Sequence, residues 1–464
     1  MTTENSPNIT QKIAGRVSTI GYADLNAETI AMVKRLIADG VAVAMAGSVE
    51  EPPRLLAEHA RTQGGAQQAT VWGQRFKATA AQAAFVNAAS MHVLDFEPMS
   101  NPPTHAVSPT VPAAFALAEA LQLNGREIIA ACAKGFEMQG RVLVAADPKR
   151  GSLPFHTPGV IGVMGSTVAA AHLLQLNAMQ LVHAFGIATS RCAGLSANTG
   201  SMVKCTHCGN VAQAGLEAAQ LAERGFTANP DIFGAAHGYV DTFFKAHFDY
   251  GLLMQFGEPY RCVDPGMAIK FYPSKYPTHF AIAAALDARS AIESSIHARA
   301  AVPGTTCIRS IKLITPEITD ANRPKPRIGL EGKFSFQYVA AAALLDGAIG
   351  GNTFTDERRF RADMVALLDK ISVTQDANIP KDTRRMHITI EITLDDGTVV
   401  SRTCTKPPGT WGEPIPDDLH RAKINECLGV RFDAAGRARV IDRLDHLENL
   451  STPDVANLCA LLAT

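Results

Sequence analysis

The stretch RMHITIEITLDDGTVVSRTC, residues 385–404, decides how the rest of the chain is read. Met386, Ile388, Ile390, Ile392 and Leu394 alternate with His387, Thr389, Glu391 and Thr393. A period of two puts every apolar side chain on one face of an extended strand. Asp396-Gly397 then supplies the backbone freedom of a hairpin turn, and the chain returns as a second strand. Moving upstream, IRSIKLIT (308–315) sets Ile311 and Leu313 in alternation with polar residues, which predicts another strand. KFSFQYVAAAALLDG (333–347) predicts a helix that stops at Gly347. Strands mixed with helices between residues 269 and 407 therefore read as an α+β domain.

The texture on either side is different. Ile30, Val33, Ile37, Val41 and Ala44 recur at helical spacing after the polar stretch around Asp24 and Asn26, with Gly47 as the stop. Further helical segments are expected at Thr110–Leu121, Glu127–Val144, Thr167–Leu176, Met179–Cys192 and Val211–Arg224, separated by Gly, Pro and Asn. The first 265 residues or so hold no period-two pattern and read as all-helical. KPPGTWGEPIP (406–416) is a Pro/Gly connector, after which DDLHRAKINECLGV and VIDRLDHLENL return to helical spacing. The expected fold is mostly α with an α+β part. Residues 1–268 and 408–464 form a large helical domain completed by C-terminal helices, with a smaller domain, 269–407, inserted between them.

Composition narrows the function. Of 464 residues, 47% are hydrophobic and 19% charged, a globular balance rather than a disordered one. The formal net charge of -1 gives no general attraction to nucleic acid or to a membrane surface, so anion recognition must come from a few local cations. No run of apolar residues is long enough to span a bilayer, and the polar opening MTTENSPNIT is no signal segment. Nine scattered cysteines fit reduced thiols and a cytoplasmic location.

Motifs for nucleotides, serine hydrolysis and zinc proteolysis are absent. GVIGVMG (159–165) follows no strand, so its glycines are assigned to close helix packing rather than phosphate binding. Cys205-Thr206-His207-Cys208 is a single CxxC without a second pair at zinc-ribbon spacing, so neither metal nor cofactor is expected.

Titratable residues instead stand out where loops interrupt the helices. HVLDFEPMSNPPTHAVSPT (92–110) holds Asp95, Thr104 and His105. PFHTPG holds His156, GSMVKCTHCGN holds Lys204, and MAIKFYPSKYPTH holds Lys270 and Tyr272. Loops and helix starts are where binding groups concentrate, although any one such His or Lys taken alone would more often be structural or solvated.

In these pieces the chain resembles the MmgE/PrpD family, whose members include 2-methylcitrate dehydratase, cis-aconitate decarboxylase and iminodisuccinate epimerase. The matching elements are Asp95-Phe96-Glu97-Pro98 followed by Thr104-His105, then Phe155-His156-Thr157, Lys204 with Gly209-Asn210, and Lys270-Phe271-Tyr272-Pro273. They occur in order over nearly the whole chain. The family's second and third acidic positions after the first Asp are here Glu97 and Pro98, and its Thr or similar residue four places on is Met99. The resemblance implies a helical domain with an α+β lid, a homodimer, no metal or organic cofactor, and a small di- or tricarboxylate substrate. The most direct expectation is a hydro-lyase of the 2-methylcitrate dehydratase kind, with epimerisation or cis-aconitate-type decarboxylation as alternatives.

Such chemistry needs cations for the carboxylates and positioned proton-transfer groups. His156 and Lys270 are expected to move protons, with Asp95 keeping a neighbouring His or Lys oriented and charged. His105 and Lys204 are expected to hold carboxylates, with Thr104 and Tyr272 beside the substrate.

Overall fold

The computed structural model describes residues 8–146, 153–244, 247–294 and 307–464. The chain divides into two compact units. One runs to Ile269 and resumes at Asp417–Thr464; the other is Lys270–Pro416.

The first unit is built on α1 (Ile9–Ser18), α2 (Ala27–Gly47), α3 (Glu51–Gln63), α4 (Ala80–His92), α5 (Val107–Leu121), α6 (Gly125–Ala145), α7 (Thr157–Leu173), α8 (Ala178–Thr189) and α9 (Val203–Glu223). Asn side chains start several of them. Asn26 accepts from Thr29 N at the head of α2, and Asn177 and Gln180 form a reciprocal capping box on α8. Helix α1 precedes the first helix expected from sequence, and its N-cap is Asn8. An all-helical reading of this region also needs correction. Ala69–Val71 (β1) and Phe76–Ala78 (β2) pair as a short antiparallel hairpin, too brief to show a period of two.

Helices α4, α5, α6, α7 and α9 form the core, and small residues let them approach closely. A methyl added at Gly215 of α9 would fall 2.0 Å from Ser166 Oγ of α7, and one at Gly165 of α7 would fall 2.0 Å from Gln139 Nε2 of α6. A methyl at Gly135 of α6 would fall 2.7 Å from Gly165 O, and one at Gly215 2.6 Å from Thr167 N, so bare backbone is met on both sides of α7, the packing role expected for the glycines of 159–165. Their abundance also hid the first ten residues of α7 from a periodicity search.

The second unit centres on a four-stranded sheet, β3 (Ile308–Thr315), β4 (Ile371–Gln375), β5 (Ile388–Leu394) and β6 (Val399–Cys404), in the order β4-β3-β5-β6. β5 pairs antiparallel with both β3 and β6, while β4 is parallel to β3. Ile388, Ile390, Ile392 and Leu394 are all buried, as their alternation requires. Gly397, at φ +89°, makes the turn between β5 and β6. Against the sheet lies α10 (Tyr276–Ser294), followed in the chain by α11 (Phe336–Asp346), capped by Gly347 at φ +69°. The connector belongs to this unit. Thr410 Oγ1 lies 2.8 Å from Tyr276 Oη, and the Trp411 ring 4.7 Å from that of Tyr276.

The chain then returns to the first unit through α12 (Asp417–Gly429), α13 (Ala434–Asp445) and α14 (Thr452–Leu461). Helices α12 and α13 pack on α2. Among the described residues no helix is long and apolar enough to cross a membrane.

Candidate active site

Four of the seven candidate residues converge in the first unit. Helix α4 ends at His92, and Asp95 N donates to His92 O at 3.0 Å, closing a tight turn. Asp95 takes the left-handed conformation, φ +53°, which Asp tolerates better than most residues. The following loop is pinned by backbone pairs between Met99 and Ala268 at 2.9 and 2.8 Å, and by Arg261 donating to Asn101 O at 2.6 Å. It delivers Thr104 and His105 just before α5. His156 is the N-cap residue of α7, held by its N–H to Gly194 O at 2.9 Å. Lys204 and His207, three residues apart, share a face at the start of α9.

Lys204 Nζ donates to Asp95 Oδ2 at 3.1 Å. His105 stands between two carboxylates, with Nε2 3.6 Å from Asp95 Oδ1 and Nδ1 2.9 Å from Glu97 Oε1, the latter off hydrogen-bond alignment. Glu97 Oε1 lies 2.5 Å from His92 Nδ1 and accepts from Ser108 Oγ at 2.8 Å. His156 Nδ1 is 3.0 Å from His207 Nδ1, so one ring donates and the other accepts. The rings of His92 and His105 are 4.5 Å apart and those of His92 and His156 5.4 Å apart, so four imidazoles, two carboxylates and one ammonium share one place.

Burial and charge then divide the roles. Burial, reinforced by Lys204, pushes His92 down to about 4 and His156 further still, so both rings are neutral near pH 7. His207 is lowered by the same two causes. Burial opposes the charge of Glu97, but His105 and His92 overcome it and hold the carboxyl well below its ordinary range. Burial likewise opposes the charge of Lys204, which Asp95 and then Glu97 restore and raise. His92 is thus the proton donor in its bond to Glu97. Cys205 and Cys208 are buried thiols, the first pushed up to about 11 by burial and the second well above its ordinary value. They are neither thiolates nor part of a ligand group among the described residues.

The fold does assemble one group of metal-ligand type that the sequence motifs did not reveal. Atoms of His92, Glu97 and His105 lie within 4.8 Å of one another. Two imidazoles and a carboxylate suit a divalent transition ion. However, the 2.5 Å between His92 and Glu97 is a hydrogen-bond separation, whereas donors at ordinary bond lengths around one tetrahedral ion stand roughly 3.3 Å apart. Glu97 also already accepts from Ser108. The arrangement fits a proton better than a metal.

Thr104 is buried beside His105, and its hydroxyl has no hydrogen-bond partner among the described residues. Lys270 and Tyr272 belong to the second unit. Lys270 is buried, and the Tyr272 ring lies 5.1 Å from that of His279, with its hydroxyl pushed up to about 12 by burial. His92, Glu97 and Ser108 were not candidates from sequence. His92 reads as an ordinary last residue of a helix, and only its spacing of three and five from Asp95 and Glu97 hinted at a shared turn.

A large helical unit with a buried His–carboxylate–Lys cluster and a smaller α+β unit define the class to which this chain belongs, the MmgE/PrpD family. Residues 11–250 match the MmgE/PrpD N-terminal domain and 272–447 the MmgE/PrpD C-terminal domain. Among individual proteins it is similar to the cis-aconitate decarboxylase of Mus musculus, 30% identical over 96% of this chain and 92% of the relative. The cis-aconitate decarboxylase of Homo sapiens is also 30% identical, over 96% and 93%. That of Aspergillus terreus is 24% identical, over 98% and 96%.

Proposed function

We propose that this chain is a lyase acting on a small di- or tricarboxylate, and that its reaction is a decarboxylation of the cis-aconitate type. The observation that carries the reading is the buried Lys204–Asp95–His105 constellation, with His156 and its neutral ring alongside. The decarboxylase relatives support the reaction type.

Loss of CO2 leaves an electron pair on carbon, which must be spread onto a neighbouring carboxylate and then quenched by a proton. Lys204 and His105 bind carboxylates. Thr104 and Tyr272 offer hydroxyl donors to the remaining oxygens. His156 is neutral because burial and Lys204 disfavour its cation. A polyanion bound beside it opposes the influence of Lys204, so His156 takes up a proton together with the substrate and holds it for delivery to carbon. Lys270 is the second proton-transfer group. Asp95 keeps Lys204 charged.

The alternatives are a hydro-lyase of the 2-methylcitrate dehydratase kind and an epimerase of an imino- or amino-dicarboxylate. The second is supported by the loop that carries Asp95, where Pro98 and Met99 stand in place of an acidic residue and a Thr or similar residue of the family's pattern. Family resemblance further supports a homodimer, for which light scattering at micromolar concentration is the check.

The test is incubation with cis-aconitate, 2-methylcitrate and related acids in deuterated water, followed by NMR. Decarboxylation gives a product lacking one carboxyl and bearing deuterium at one carbon. Dehydration gives an alkene with all carboxyls retained. No change in any di- or tricarboxylate would overturn the reading.

A further inference from the structure

Behind the Asp95 turn lies a second buried charge cluster, contributed by α12 and α2. Lys423 is 5% exposed, Asp39 fully buried and His420 6% exposed. Lys423 Nζ donates to Asp39 Oδ1 at 2.8 Å, and His420 Nε2 is 3.0 Å from Asp39 Oδ2. If Lys423 served only to neutralise Asp39, its remaining donors could point anywhere polar. One of them reaches Phe96 O at 2.9 Å, and the ammonium lies 4.2 Å from the centroid of the Phe96 ring. Phe96 is the residue between Asp95 and Glu97. Its carbonyl is therefore the point from which one site carboxylate leaves toward Lys204 and the other toward His92 and His105.

We propose that Lys423 is a positioning residue of this site, a buried cation in the C-terminal return that grips Phe96 from both its carbonyl and its ring and so fixes the directions of Asp95 and Glu97. The left-handed Asp95 needs such a grip, because an L-residue in that conformation costs about 1 kcal/mol and persists only where its surroundings hold it. Met99 and Arg261 pin the loop further along; Lys423 alone among these acts between the two carboxylates. Its reach also gives the C-terminal helices a part in the site, although they contribute no residue to the cluster itself. The inference rests on the functional reading for its kinetic consequence only, since the geometry of His92 and His105 can be followed without turnover.

The experiment uses the full chain with 15N-labelled histidine. Ring signals of His92 and His105 are assigned by loss in His92→Gln and His105→Gln and compared in wild type, Asp39→Asn/Lys423→Met and Lys423→Arg. The double substitution removes both buried charges together, so neither is left unpaired. With folding verified by circular dichroism, the His92 and His105 signals are expected to move, and kcat to fall about tenfold with KM changed far less, the pattern of misplaced rather than missing groups. Lys423→Arg, which keeps the pairing with Asp39, is expected to show smaller changes in the same direction and serves as the deciding variant if the double one does not fold. Unmoved His92 and His105 signals in either folded variant would overturn the proposal. So would unchanged kcat in the double variant. Should no carboxylate be turned over by wild type, the functional reading fails while the ring signals still decide the role of Lys423.

Discussion

Lys204 Nζ and Asp95 Oδ2 meet at 3.1 Å, joining the first turn of α9 to a left-handed residue 109 positions earlier in the chain. The two side chains are mostly enclosed, 14% and 10% exposed, so water screens the pair only weakly. Lys204→Ala is expected to leave Asp95 buried without its cation and to lower stability by about 3–5 kcal/mol in urea unfolding. Asp95→Asn/Lys204→Met, which removes both charges, should cost less. In the enzyme assay Lys204→Ala should raise KM more than it lowers kcat, if it binds substrate and transition state alike. A double variant less stable than the single one would contradict the pairing.

His156 and Lys270 are the proposed proton-transfer groups. His156→Ala and Lys270→Ala are each expected to lower turnover by about a hundredfold or more, the usual scale for losing a general acid or base. Calorimetry in buffers of different ionisation enthalpy should show proton uptake when wild type binds a non-reacting tricarboxylate, and less uptake in His156→Ala. Equal uptake in both would remove His156 from its role.

The acid limit of stability should carry the signature of His92. This ring titrates near 6.5 when unfolded and at about 4 when folded, because burial and Lys204 disfavour its cation. Between those values the unfolded chain binds the extra proton, so stability rises with pH across the window and is lost as pH falls from 6.5 toward 4. Glu97 has the opposite charge but the same direction. Its depressed folded value contributes stability above its unfolded 4.5, and that contribution is lost on further acidification. His92→Gln should shrink the stability difference between pH 7 and pH 4 by about 3 kcal/mol, measured by urea unfolding at each pH. An unaltered pH dependence would show that His92 does not titrate in this way.

Metal dependence is the remaining point of decision. Activity is expected to survive exhaustive chelation, because His92 and Glu97 are bonded through a proton. Loss of activity that zinc restores, and that His92→Gln abolishes while Cys205→Ser does not, would instead assign an ion to His92, Glu97 and His105.

Much of this was written locally in the chain. The turn at Asp396-Gly397 and the alternation from Ile388 to Leu394 are short-range signals, and the structure follows them. β4 escaped because Ile371–Gln375 is only partly buried and pairs parallel to β3, with no turn beside it to announce a partner. Asp95, His105, His156 and Lys204 stood out as polar residues at loop and helix ends, and the first unit gathers all four. His92, Ser108 and Lys423 did not, because their importance lies in what they touch across the fold rather than in any local pattern. A buried Lys on a helix of ordinary composition cannot be told from a solvated one until the helix has a neighbour.

The contact of Gly215 with Ser166 has a consequence for how this protein can change. His156 heads α7 and Lys204 opens α9, and the two helices touch where no methyl group can be inserted. A methyl at Gly215 would also fall 2.6 Å from Thr167 N, so the separation of the two helices there is set by the thickness of bare peptide, which no exchange of rotamers can alter. A descendant seeking a new substrate has little freedom to respace this pair. Its freedom lies in exchanging the side chains that these helices carry, not in moving the helices, a ruler that stays the same length.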